Sequence, residues 1–249
     1  MPSDPKPRSP FGVPSPGRFA AIFRTVVAST PQMDLQILGR VLLHAALVGA
    51  AAGLVGAVFV AAVEWVEHFV LGHLAGYAPL CAAGETCIQP APGTPVRPWL
   101  LVFCPAVGAL LAGALVHRFA RETMGGGADA TIEAFHTRGG IMRKRAAPAK
   151  LATAILTLGF GGSGGREGPT MHMGGAVGSL IGRLMRVSLR ERRMLLVAGM
   201  AAGIAAVFRT PLGAALLAVE VLHRDDFESD ALVPAVLASV VGYSVFTFL

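Results

Sequence analysis

The chain has 249 residues, 53% of them hydrophobic and only 14% charged, with a mean hydropathy of +0.61. Soluble domains carry about 25% charged residues, so this composition excludes a disordered chain and argues against a water-soluble monomer. The net charge of +6 does not mark a nucleic-acid binder, because the basic residues fall between apolar runs and not on a soluble face with stacking aromatics.

Residues 1–34 are rich in Pro, Ser and Arg, with six prolines in the first 30 positions. They are expected to form a mostly disordered, cytoplasmic segment. Phe19 to Val27 reads either as a short amphipathic helix on an anionic leaflet or as a plain linker. Residues 35–249 are expected to form one membrane unit. Its first apolar run, Val41 to Val63, holds 23 residues and a single titratable group, His44, and about 20 such residues cross a bilayer. The pair Gly49 and Gly53 suits close helix approach, and His44 is expected to pack in the core. A polar loop follows with Cys81 and Cys87, which are either disulfide-bonded or free thiols. The second run is Trp99 to Val116, with Cys104 alone inside it.

The pattern then breaks. Leu151 to Phe160 is short and enters Gly161-Gly-Ser-Gly-Gly-Arg-Glu-Gly-Pro169. Thr170 to Ile181 is apolar and Gly-rich. Met194 to Phe208 is interrupted by Arg209-Thr-Pro211, and Leu212 to Leu222 resumes. The last run is Ala231 to Leu249. Half-helices at membrane depth are tolerated where they line a cavity or are buried in protein, and in transporters they point to the binding site.

Charge orients the runs. Residues 1–40 carry five Lys and Arg, 117–150 carry seven and 183–193 carry five, whereas 64–98 carry only Arg97. The expectation is a multi-pass cell-membrane protein with a cytoplasmic N-terminus, as in a bacterial inner membrane. The broken hairpins then begin and end inside, and the Cys81–Cys87 loop faces an oxidising periplasm.

Pro169 lacks a backbone N–H and favours the first turn of a helix, so a helix is predicted to start near Glu167 or Gly168. Its unpaired N–H groups and positive dipole end make an anion site without a fixed cation. Glu167 at that start is either a plain cap or, as an ionisable residue between apolar segments, a functional group. A charged carboxylate occupies an anion site and a protonated one leaves it, which describes a proton-sensitive gate. A second Gly-rich helix start, Gly125-Gly-Gly-Ala-Asp129, offers Asp129 as N-cap. It reads as an ordinary loop cap or as the inner mouth of the same path.

These residues resemble the CLC family of chloride channels and chloride/proton antiporters. Gly165-Arg-Glu-Gly-Pro169 fits the family's G-[KR]-E-G-P motif, Ala201 to Leu212 with Glu220 is similar to the helix pair that follows it, and Gly125 to Asp129 is similar to a degraded G-S-G-x-P motif. The resemblance implies an all-α membrane fold of full-length and broken re-entrant helices, the first half of the CLC inverted repeat. It implies chloride as the transported ion, no cofactor and no enzymatic activity. It implies Glu167 as the gate, and Gly126, Gly127, Arg166, Gly168 and Pro169 around the anion, mostly through backbone N–H groups. Gly126 stands where the family commonly has a coordinating serine. Val221 stands where many antiporters have an inner proton-relay glutamate, and Glu220 beside it is the candidate substitute on a proton path with Glu167. The second half's motifs are absent from the sequence, so the partners expected are the lipid bilayer, chloride, and a second CLC half or another copy. The chain alone is not expected to hold a complete pathway.

The sequence also admits two other readings. One is a non-conducting structural or regulatory half-subunit or gene fragment. The other is a rhomboid-like intramembrane serine protease using the G-x-S-x-G at Gly161–Gly165, which needs a histidine base within reach, with His172 or His223 as candidates. His68, His73, His117 and His136 do not form a metal-binding set, and Met171 and Met173 are expected to fill gaps in the packing.

Overall fold

A computed structural model describes residues 35–77, 95–119, 121–222 and 229–249. The N-terminal segment, the Cys81–Cys87 loop and His223 lie outside these. Arg40–Leu249 form one compact unit, and the described residues before it are the opening turn of α1. All regular structure among the described residues is helical. The helices are α1 (Leu35–Glu67), continued by a π-helical stretch (His68–Leu74), α2 (Pro98–Phe119), a 3₁₀ turn (Arg121–Thr123), α3 (Ala128–His136), α4 (Ala146–Gly159), α5 (Glu167–Leu184), α6 (Leu189–Phe208), α7 (Pro211–Glu220) and α8 (Ser229–Phe248).

Among the described residues, three stretches are long and apolar enough to cross a membrane: Gly39–Leu74, Pro98–Phe119 and Asp230–Phe248. They contain the first two expected runs and all but Leu249 of the third. The first is longer than the apolar pattern suggested because Glu64, Glu67 and His68 do not stop the helix. The broken pieces are also helical, with α4 and α7 too short to span. Arg209, in the left-handed region at φ 56, caps α6, and Pro211 opens α7.

Packing follows residue size. Every side chain of α6 from Met194 to Ala206 is buried, as expected for a helix apolar all round. Helix α5 crosses α6 antiparallel at Gly174 against Gly199 and Gly178 against Leu195, where any added methyl would drive into a facing carbonyl. Helices α1 and α8 run parallel, with Gly49 on Ala238 and Gly53 on Gly242. That is the close approach expected of the Gly49–Gly53 pair.

The charged loops gather at one end. Arg190 pairs with Asp230. Glu191, with a side chain only 4% exposed, accepts from Arg40 at 3.3 Å and from His44 Nδ1 at 2.8 Å. His44 is therefore the polar half of a link between α1 and α6, not a simple core residue. The sequence shows its apolar neighbours and hides its partner, which lies 147 positions away.

Candidate functional site

Two helix starts meet inside the molecule. Helix α3 is opened by Gly127, whose φ of 101 lies in the left-handed region. Only glycine takes that conformation without strain, and this is why Asp129 is not the N-cap. Asp129 sits exposed in the first turn instead, and no side chain caps the helix. Helix α5 starts at Glu167 behind Arg166, also without a side-chain cap, as the position of Pro169 predicted. Both starts keep backbone N–H groups that no side chain satisfies.

The starts touch. A methyl added to Gly168 would run into the Gly126 carbonyl. Gly126 therefore lies beside the α5 start. Two donors clamp the Gly127 carbonyl: Thr131 Oγ1 at 3.0 Å and His172 Nδ1 at 3.2 Å. His172 belongs to α5 and Thr131 to α3, so this bond ties the two starts in register. Thr170 adds a local brace, its Oγ1 donating to the Glu167 carbonyl at 2.8 Å.

A cavity of about 770 Å³ opens at these starts. Gly125, Gly126, Gly165 and Pro169 form one wall, and α2 and α4 form the other. Lys150 lies in that second wall, 7% exposed. Its Nζ donates to the Thr123 carbonyl at 3.3 Å and to the Gly125 carbonyl. The cavity wall therefore includes a buried lysine, which the sequence reading did not place there. Sequence reading counted Lys150 among the topology charges and began the apolar run at Leu151. The missed signal was one lysine inside an otherwise apolar helix.

Of the residues singled out from the sequence, Gly126, Gly127, Gly168 and Pro169 come together. Arg166 is the half-buried residue preceding α5. Glu167 is exposed, and its carboxylate folds back against Gly165, where an added methyl would strike it. Glu220 is not brought to Glu167. It is exposed at the far end of α7, two residues from Leu222, whose carbonyl accepts from His136 Nε2 at 2.8 Å. Val221 is half-buried beside it. As for the protease reading, His172 is buried under the start of α3 with Nδ1 on the Gly127 carbonyl, while Ser163 is exposed.

Half-helices whose bare N-termini converge on a cavity, set among spanning helices, are the arrangement with which membrane transporters surround a binding site. The family model described as "Voltage gated chloride channel" matches residues 108–249, and the chain belongs to this family. It is 34% identical over 149 residues to the chloride/fluoride channel protein of Pseudomonas syringae pv. tomato, covering 60% of this chain and 32% of that one. It is 34% identical over 211 residues to the H(+)/Cl(-) exchange transporter ClcA of Citrobacter koseri, covering 82% and 41%. Among solved structures it superposes on a slow cyanobacterial Cl-/H+ antiporter with a TM-score of 0.65 and 26% identity, covering 84% of this chain and 46% of that one. The chain thus spans less than half the length of these relatives, and its fold is that of the N-terminal helical repeat of the CLC fold.

Proposed function

We propose that the chain serves CLC-type chloride transport as one half of an assembly, with the anion passing the paired starts of α3 and α5 and Glu167 as the gate. The observation that carries this reading is the convergence of two uncapped helix starts and Lys150 on one cavity. Gly126, Gly165 and Glu167 are exposed at these starts while the body of α5 is buried. That exposure supports a second set of helix starts facing this one, supplied by a second half or a second copy.

The gating step is competition. The charged Glu167 carboxylate and the anion seek the same N–H groups and the same cation. Protonation neutralises the carboxylate and lets it swing away from the anion's position. The experiment is chloride flux against pH in proteoliposomes holding the complete assembly, for wild type and Glu167→Gln. The amide keeps the shape and removes the charge, so flux should rise and its pH dependence flatten. Identical pH profiles would reduce Glu167 to a helix cap. Because Glu220 lies at the other end of α7 and Val221 is apolar, Glu167 acts as gate without a side-chain relay through position 221.

A further inference from the structure

A second cavity, of about 610 Å³, lies on the α2–α4 pair apart from the anion site. These helices run antiparallel, with Gly108 against Leu156 and Phe160, so the end of α2 meets the start of α4. The cavity is lined there by Leu115, Arg118 and Phe119 from α2 and by Arg145, Ala149 and Ala152 from α4. Its lining is ordered by polarity. Both arginines sit at the helix ends, and the apolar side chains lie up to two turns deeper. Arg118 lies over the Phe119 ring, 5.4 Å from its centroid, which holds the guanidinium at the rim.

Depth supports the same picture. The 22 residues of α2 rise about 33 Å, close to the roughly 30 Å hydrocarbon thickness of a bilayer. Trp99, 70% exposed at one end, suits one membrane interface. Arg118 and Phe119 then fall at the other. Arg145 and Arg118 are exposed, as are Arg143 and Lys144 next to the groove. Among the described residues no carboxylate pairs with Arg118 or Arg145.

The geometry points to a binding site for an anionic phospholipid, its phosphate between Arg118 and Arg145 and an acyl chain along Leu115, Ala149 and Ala152. A guanidinium pair recognises phosphate through charge-assisted bonds, and basic pockets between spanning helices suit anionic headgroups. The apolar floor selects a lipid over a free phosphate, because a soluble anion gains nothing from covering it. The site does not depend on the anion path, so it stands or falls separately from the transport reading.

The test is native mass spectrometry of the purified chain in neutral detergent. The probes are phosphatidylglycerol and phosphatidylcholine with matched acyl chains. Wild type should retain phosphatidylglycerol about thirtyfold more strongly, given two basic residues at the surface. The double variant Arg118→Gln/Arg145→Gln should lose that preference. Ala149→Trp, which fills the floor without changing charge, should weaken both lipids. Arg97→Gln, at the opposite end of α2, should behave as wild type, and circular dichroism should show all variants equally helical. Equal retention of the two lipids by wild type would overturn the proposal. So would an unchanged preference in the double variant, or a change in oligomeric state without any change in lipid retention, which would mark the groove as a contact between copies.

Discussion

Replacing Lys150 by Met separates an electrostatic role at the anion site from a purely structural one. Met matches the length of the lysine stem and leaves no large cavity, so the change removes mainly the charge and its two bonds to Thr123 and Gly125. A sphere with the volume of the neighbouring cavity has a radius of about 6 Å. An anion at its centre then lies about 6 Å from the ammonium, an attraction of about 3 kcal/mol at an effective dielectric of about 20. Allowing for partial solvent access, the loss should be about 2–3 kcal/mol, or about 30- to 150-fold in chloride affinity. Stability should move less. The lost bonds contribute about 1.5–3 kcal/mol each, but removing a buried charge relieves a desolvation cost of several kcal/mol. The assay is the chloride half-saturation of flux in the complete assembly, with thermal unfolding measured beside it. A half-saturation within about threefold of wild type, together with a large drop in Tm, would refute the electrostatic reading and leave Lys150 as a brace for the loop before α3.

Three further outcomes follow from the packing. Gly199→Val should lower stability by more than the roughly 1–3 kcal/mol of ordinary overpacking, because the added atoms meet the Gly174 backbone and not a movable side chain; a Tm within two degrees of wild type would contradict the crossing described for α5 and α6. Glu191→Ala should cost about 3 kcal/mol, since it strips His44 of a buried partner while Arg40, 59% exposed, remains solvated, and thermal unfolding of the purified chain checks it. In a background without cysteine, a thiol placed at Arg97 should react with an impermeant reagent from outside intact cells and one at Arg190 only after permeabilisation, whereas the reverse pattern would invert the orientation derived from charge.

Legibility in the sequence varied with the range of the interaction. The three spans were readable because length and hydropathy are local properties, and the start of α5 was readable because Pro169 acts on its own backbone. The start of α3 was only half readable. Its glycines were evident, but Asp129 suggested a side-chain cap, and only the backbone shows that the cap position needs a positive φ. The contact of Gly126 with Gly168 spans about forty residues of chain, and no periodicity encodes it. Lys150 and Glu191 were overlooked for one reason: a charge counted in a loop tally carries no information about which carbonyl or histidine it will meet.

In the proposed reading the site combines two ways of holding an anion, and their division of labour follows from the residues used. Helix N-termini bring N–H groups to a point only if nothing stands between them, which is why Gly168 lacks a side chain where it meets the Gly126 carbonyl. Backbone dipoles act over about one turn, so in the proposed path they would fix where the anion rests. A lysine acts farther but less directionally, and Lys150 is anchored on two carbonyls of the loop that leads into α3. The same bonds that hold the ammonium near the cavity also fix the Thr123 and Gly125 carbonyls on it. Local geometry and long-range field are thus set by one side chain. A carboxylate introduced into this field, such as Glu167, is attracted by both components at once. That is the physical basis on which the proposed gate would compete with chloride, and would cease to compete when the carboxylate is protonated.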